Sequence, residues 1–445
     1  MRIRAAILAV LTLLLTLPSL AEPLTLAEAQ RLAIEHSHKL KRQESKVRQA
    51  GYRVDEVYAG ASPQLSFRAG SSYLTPTVSF ATPQGSLPIT ESGNYNVGLH
   101  LDQAIYTFGR LKWGAMAAEL AEEASQVEVE KQRQDVVEMV TQAYLDLVFS
   151  QRAVDVAELQ VQTRGSHLEQ AKLRLKAGTI PPFEVLSFET ALAQAQQRLI
   201  LSNKQRELAK TQLLLMIGRR PRQELEVTPL EDLDEFDQSV DLAVERALDR
   251  RPGLIALRKA VEAADAKVNY EKSQNNPTLG FRTSYVRQNS TAFQPNQMWV
   301  AGVQLNIPLY DGGTSKAKAA QAAEEVVQLQ ETLADAERDI TMQVEKLHLD
   351  LVSSLEQLKV AQTALVQANE HLRLAALRYK VGVSTNLELL QAETSQAEAR
   401  LAVHQSNYNV LKSYYAWRRA TGLSLEPEEA PQPEVVEAEG QDPQR

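Results

Sequence analysis

Residues 110–177 and 314–381 each run for 68 positions with almost no structural punctuation; the first holds only Gly114 and Gly165 and no proline. As helices they would each span about 100 Å at ~1.5 Å per residue, too long for the interior of a rounded domain. Heptads account for the length. Val140, Leu147, Val154, Val161, Leu168 and Leu175 recur every seven, with Val136, Ala143, Ala157 and Ala171 on a second seam that Ser150 and Arg164 interrupt. The later stretch repeats the pattern with Val344, Leu351, Leu358, Leu365, Leu372 and Tyr379, beside Ile340, Leu347, Ala361, Ala368 and Ala375. Apolar heptads sustained this far mean coiled-coil packing, and the alanines let helices approach closely.

The two stretches are parts of one duplication. Tyr106, Gly109, His167, Gly178 and Gly218 recur at an offset of 204 as Tyr310, Gly313, His371, Gly382 and Gly422, with no gap. Further upstream, Ser62–Phe67 resembles Asn276–Phe281 at an offset of 214. The first copy therefore carries about ten extra residues, placed around Thr75–Ser92 and expected as an exposed loop. Each long helix should stop at Lys176-Ala-Gly178 or Lys380-Val-Gly382, where glycine suits a left-handed cap and lysine the negative helix end. A return helix should follow, over 182–217 with Pro182 at its first position, and over 386–421 with Ser384 or Thr385 as N-cap. Residues 24–60 and 240–275 also read as helical and can cover the rest of each long helix.

Two segments per copy switch to a period of two. Leu65, Phe67, Ala69 and Tyr73, then Tyr95, Val97, Leu99, Leu101 and Ile105, alternate with polar residues and glycines. In the second copy Leu279, Phe281 and Tyr285, then Trp299, Val303, Leu305, Ile307 and Leu309, do the same. The strands are placed at about 63–74, 94–106, 277–287 and 298–310, long for a soluble protein and long enough to cross a bilayer at a tilt. Four strands cannot close a water-filled barrel and lipid forbids open edges, so the alternatives are an oligomer or a soluble sheet packed on helices. The nearby helices have their apolar seams committed to the heptads, which favours a barrel shared between subunits.

The chain has 445 residues, and its ends and composition narrow its surroundings. Arg2 and Arg4, the apolar run Ala5–Leu17 and Ser19-Leu20-Ala21 read as a cleaved secretory signal over 1–21. Its removal takes the net charge from −8 to −10, which argues against a nucleic-acid partner. Mean hydropathy is −0.30, against a bundle of membrane helices. Cysteine is absent, excluding disulfides, thiolate metal sites and an N-terminal lipid. The acidic, proline-bearing residues 426–445 are expected to be a disordered tail. His36 and His38 do not share a helix face, Asp311-Gly-Gly-Thr-Ser-Lys316 lacks phosphate-loop spacing, and no nucleophile elbow or HExxH is present. Neither an enzyme nor a cofactor or metal is expected.

Val303-Gln-Leu-Asn-Ile-Pro-Leu-Tyr-Asp-Gly-Gly313 resembles the strand-to-helix signature of the TolC family of bacterial outer-membrane efflux proteins, and Leu99–Gly109 is its weaker first counterpart. Leu377–Leu390, matched by Leu173–Gly178 and Glu184-Val-Leu186, looks like that family's hairpin tip. The likeness covers about residues 24–425. It implies a mainly helical chain of long coiled-coil hairpins with four strands per chain. A homotrimer would join these into a twelve-stranded β-barrel in outer-membrane lipid, its helices reaching into the periplasm. The repeats would be 22–230 and 231–425, with long helices 110–177 and 314–381. Partners would be a periplasmic adaptor and an inner-membrane transporter, and the function a passive exit duct for efflux or type I secretion.

The resemblance places adaptor contacts at Gly178, Thr179, Gly382, Val383, Ser384 and Thr385, and strand-to-helix turns at Gly109, Gly312 and Gly313. Glu184 and Glu388, with Glu189 and Glu393 as weaker candidates, would line the closed end, each repeated by symmetry into a ring. Two departures stand out. Pro181-Pro182 stiffens the first tip, and Gln391 replaces an acid one turn beyond Glu388. The rival reading, a soluble periplasmic coiled-coil adaptor, explains the signal and the heptads but not bilayer-length strands.

Overall fold

A computed structural model describes residues 23–229, 239–289 and 295–423. The signal segment 1–21 and the tail 426–445 lie outside the described residues. Two packing units emerge, one from residues up to Lys41, Glu130–Arg251 and Arg338 onward, the other from Arg42–Val129 and Pro252–Glu337.

In the first unit, α1 (Leu26–His36) starts at Thr25, whose hydroxyl accepts the Glu28 N–H at 3.3 Å. The long helix α3 (Arg110–Lys176) enters this unit at Glu130 and returns as α4 (Pro182–Met216). Val136, Val140, Ala143 and Leu147 of α3 meet Leu213 and Leu214 of α4 and Leu26, Ala29 and Ala33 of α1 in one buried cluster. Tyr144 is sealed beneath it. Its hydroxyl donates to the carbonyls of Leu24 (2.9 Å) and Thr228 (2.6 Å), and burial pushes its pKa up to about 12. The second copy repeats the plan. α5 (Val240–Arg250) packs Ala243 and Ala247 on Val344 and Leu351 of α7 (Thr314–Lys380) and on Val410, Tyr414 and Trp417 of α8 (Asn386–Ala420). The long helices are both 67 residues and the return helices both 35, so the repeat is in register to the residue.

The second unit holds α2 (His38–Ala59) apart from its first residues, α6 (Pro252–Lys272), the first turns of α3 and α7, and the strands. Ala264 and Val268 of α6 pack on Ala322 and Val326 of α7. β1 (Gln64–Tyr73), β4 (Gly93–Tyr106), β5 (Thr278–Gln288) and β6 (Gln297–Asn306) form one antiparallel sheet in that order. Around Thr75–Ser92, expected only as a loop, the chain pairs with itself as a hairpin of β2 (Ser79–Thr82) and β3 (Gly85–Pro88).

Candidate functional site

The register of the sheet sorts its side chains. Phe67, Leu99, Tyr285 and Trp299 stand opposite one another across all four strands, and all four are exposed. Leu65, Leu101, Thr283 and Ala301 form the next row on the same face. The Trp299 indole N–H is spent on the Thr283 hydroxyl at 2.6 Å, so the ring presents carbon outward with its polar atom already satisfied. The opposite face carries Gln64, Asp102, Arg282 and Gly302 in one row and Ser66, His100, Ser284 and Val300 in another. There Arg282 donates to Asp102 at 2.5 Å, a charged pair across neighbouring strands. Val300 and Met298 make that face less uniformly polar toward the β5–β6 end. In a soluble protein the greasy rows would be buried under helices. Here they are bare, and β1 and β6 leave two unpaired edges among the described residues.

At the strand-to-helix turns the two copies use different chemistry. Asp311 accepts the Gly313 N–H at 2.9 Å and the Ser315 N–H at 2.7 Å, opening α7, and the Ser315 side chain, together with these backbone bonds, lowers its carboxyl pKa to about 2. Gly312 and Gly313 supply the positive φ of +71° and +85° that the turn needs. In the first copy Thr107 takes the place of Asp311 and its hydroxyl accepts the Leu111 N–H at 3.1 Å, with Phe108 and Gly109 at φ +48° and +96°.

Both tips close by a Schellman arrangement. Thr179 N–H donates to the Arg174 carbonyl at 3.0 Å and Val383 N–H to that of Arg378 at 2.9 Å. Gly178 and Gly382 sit at φ +72° and +79°, and a Cβ on either would meet nothing within 4 Å. Glycine is thus needed there for backbone conformation, while the space around it stays open. Phe183, Leu186, Val383 and Leu387 are exposed at these ends. Thr385 caps α8 by accepting the Glu388 N–H at 3.4 Å; Pro181 occupies the matching place before α4 and makes no such bond. Ser384 is half-buried and does not cap the helix.

The four acids have different surroundings. Glu388 is exposed, 3.7 Å from Arg378. Glu184 accepts a 3.5 Å bond from the Tyr379 hydroxyl, and Tyr379 itself lies under the Arg174 guanidinium in the apolar core of the first tip. Glu189 is exposed and 3.2 Å from Lys172. Glu393 departs from expectation: it is 6% exposed, its Oε1 2.7 Å from His167 Nδ1. Its position on α8 faces α3 rather than open space. Close by, Arg164 is buried and donates to the Ala191 carbonyl at 3.0 Å and the Thr394 hydroxyl at 2.9 Å. Burial lowers the Arg164 pKa while the Glu393 carboxylate opposes that shift. Only the break that Arg164 makes in the alanine seam hinted at this cluster.

Further along, Arg419 of α8 pairs with Asp135 and Glu138 of α3, and the Tyr408 hydroxyl donates to Asp146 at 2.6 Å. The return helix of the second copy is therefore bound to the long helix of the first along its length. Among the described residues no cluster of acids and histidines could hold a metal, and no helix is long and apolar enough to cross a membrane.

Comparison with known proteins agrees with this geometry. The family model described as outer membrane efflux protein matches residues 29–219 and 243–423. The outer membrane efflux protein BepC of Brucella suis is 24% identical over 357 residues, covering 78% of this chain and 76% of that protein. The alkaline protease secretion protein AprF of Pseudomonas aeruginosa is 24% identical over 344 residues, covering 74% and 70%. Among solved structures, the outer membrane protein VceC of Vibrio cholerae superposes with a TM-score of 0.75 at 19% identity, over 89% of this chain and 96% of that one. The CmeC outer membrane channel of Campylobacter jejuni gives 0.75 at 15% identity, over 89% and 85%. Two helical hairpins in exact duplicate, a four-stranded sheet with a bare apolar face, and a family match spanning most of the sequence lead to one assignment: the chain belongs to the outer membrane efflux protein family, the TolC family of outer-membrane channels.

Proposed function

We propose that this protein is the passive outer-membrane exit duct of an efflux pump or a type I secretion system, working as a homotrimer. The observation that carries the reading is the exposed row Phe67–Leu99–Tyr285–Trp299 on a sheet with two open edges. Lipid covers such a row at no cost, and only closure with other strands satisfies the edges. Three copies of four strands make a twelve-stranded barrel whose polar face, with His100, Asp102 and Arg282, lines the passage. The relatives include both an efflux protein and an alkaline protease secretion protein, which supports a duct for efflux or for secretion.

At the far ends of the hairpins, Gly178, Thr179, Gly382, Val383, Ser384 and Thr385 contact a periplasmic adaptor, which joins the duct to an inner-membrane transporter. Open space around both glycines and the bare Phe183 and Leu387 support this. Glu388, and behind it Glu184 and Glu189, supply carboxylates that threefold symmetry multiplies into rings attractive to cations. Glu393 is not part of the rings, being occupied by His167.

The deciding experiment is the mass of the detergent-extracted protein with its conductance in a planar bilayer. The expected result is a trimer that passes ions without nucleotide. A monomer soluble without detergent and silent in the bilayer would overturn the reading. Replacing Gly382 with Trp should abolish efflux from trimers that still assemble, and Glu388→Ala should change cation selectivity.

A further inference from the structure

The charges on the strands fall unevenly between the two faces of the sheet. On the apolar face only Arg287 is charged, opposite Val97. The other face holds Arg68, Asp102 and Arg282, with His100 in the row between Asp102 and Arg68. Asp102 is committed to Arg282 on the neighbouring strand. Arg68 stands two rows on, in the row Arg68–Gly98–Val286–Met298, and neither that row nor Ser66–His100–Ser284–Val300 beside it contains an acid. Arg68 is exposed, and Gly98 opposite it has no side chain to cover it. At the strand-to-helix end of this face Arg110, the first residue of α3, lines a recess with Gln64, Asp102 and Arg282. Three arginines therefore meet one carboxylate, although the chain as a whole carries a net charge of −8. The excess belongs to this face and not to the composition.

We infer that Arg68 sets the charge preference of the barrel part of the passage and makes it a section that draws anions, solutes bearing carboxylate, sulfate or phosphate groups. The inference rests on the duct proposed above, in which this face lines the passage. Threefold repetition turns Arg68 into a ring of guanidinium groups with no carboxylate in its row, and rings of arginine select for anions in pores. Asp102 is already answered by Arg282 within its own row, so it does not offset that ring. Size decides whether the ring matters. Twelve strands about 4.8 Å apart, tilted by roughly 40°, close at a radius of roughly 12 Å. The Debye length is ~10 Å at 0.1 M salt, so with the arginines reaching inward the field of the ring covers the cross-section, whereas at 1 M it is ~3 Å and the field stays at the wall. Glu184, Glu189 and Glu388 at the tips act with the opposite sign, so the barrel's share of the preference is read by changing the barrel alone.

The chain has no cysteine, so a single engineered thiol can be given either charge in place. The full-length protein carrying Arg68→Cys is reconstituted in a planar bilayer, and its reversal potential is read in a KCl gradient from ~0.01 to ~0.1 M, where screening is weak. The chloride-to-potassium permeability ratio should be about twofold below that of the unmodified protein. A cationic methanethiosulfonate added to the conducting channel should restore the ratio, an anionic one should lower it about twofold further, and both effects should vanish above ~1 M salt. Phe67→Cys, one residue away on the apolar face, should respond to neither of these water-soluble reagents. Asp102→Asn frees Arg282 and should move the ratio the other way. A conducting channel whose ratio ignores both reagents at position 68 overturns the inference and leaves the duct standing. Where Arg68→Cys yields no channel, an unchanged ratio in Asp102→Asn does the same. An unmodified protein that conducts nothing overturns both.

Discussion

The two hairpins match in length residue for residue, yet their ends and neighbours are built differently. In the first, α3 stops under a core that holds Leu168, Ala171, Val185 and Phe188, and Tyr379 of the second copy reaches into it. In the second, Leu358, Leu365 and Leu372 of the α7 seam are only partly covered, and Glu388 sits at an exposed first turn. The first hairpin is thus the buttressed one and the second the more loosely held. Duplication provides two copies of one coil, and substitution at a few seam positions leaves one more deeply packed than the other.

The strongest way to break this comparison is through the cores. Trp417 is fully buried in the second copy where Leu213 stands in the first. Trp417→Ala should cost about 3–5 kcal/mol and Leu213→Ala about 2–5 kcal/mol, read as the midpoint of denaturant unfolding in detergent. Equal losses would show that one cooperative unit contains both copies. Next in size is Arg164, whose place in the second copy is taken by Ala368. Arg164→Ala should cost about 3 kcal/mol by stranding Glu393, and adding Glu393→Gln should recover most of it. A double variant no more stable than the single would mean that the two charges do not support each other.

The tips should give smaller effects. Gly178→Ala and Gly382→Ala should each cost about 1–2 kcal/mol from the left-handed backbone alone, since a methyl group there touches nothing. A larger loss at Gly382, measured on the detergent-purified protein, would reveal a contact hidden in the single chain. Thr385→Ala should cost about 1 kcal/mol, whereas Pro181→Ala, which removes no capping bond, should change little. Last comes acid. The Asp311 carboxyl is held below its unfolded value, so its support for the turn is complete above about pH 4 and fades as pH falls through about 2. Thr107 has no such dependence. Pepsin cleavage near residues 311–315 should therefore rise toward pH 2 while cleavage near 107–111 stays flat, and Asp311→Asn should remove the contrast.

Much of this was legible in the sequence because it is periodic. Period two marked Tyr95–Ile105 and Trp299–Leu309, and seven-residue spacing marked Val140–Leu175, since a strand or a seam repeats its demand at every step. What periodicity cannot say is which helix faces which. Glu393 and Glu189 are equivalent in the duplication, yet one is buried against His167 and the other lies on the surface beside Lys172. That difference comes from the order of the helices in space, which no single helix records. The β2–β3 hairpin escaped for the opposite reason: its strands are four residues each, too short for alternation to stand out.

The equal length of the paired helices limits how the gene can change. Losing seven residues from α3 alone would preserve its seam but draw Gly178 back by about 10 Å relative to Gly382. Any inheritable change in reach must therefore strike both halves together or neither. Length differences are tolerated in the connections instead, as the ten or so extra residues of the first copy that carry β2 and β3 illustrate.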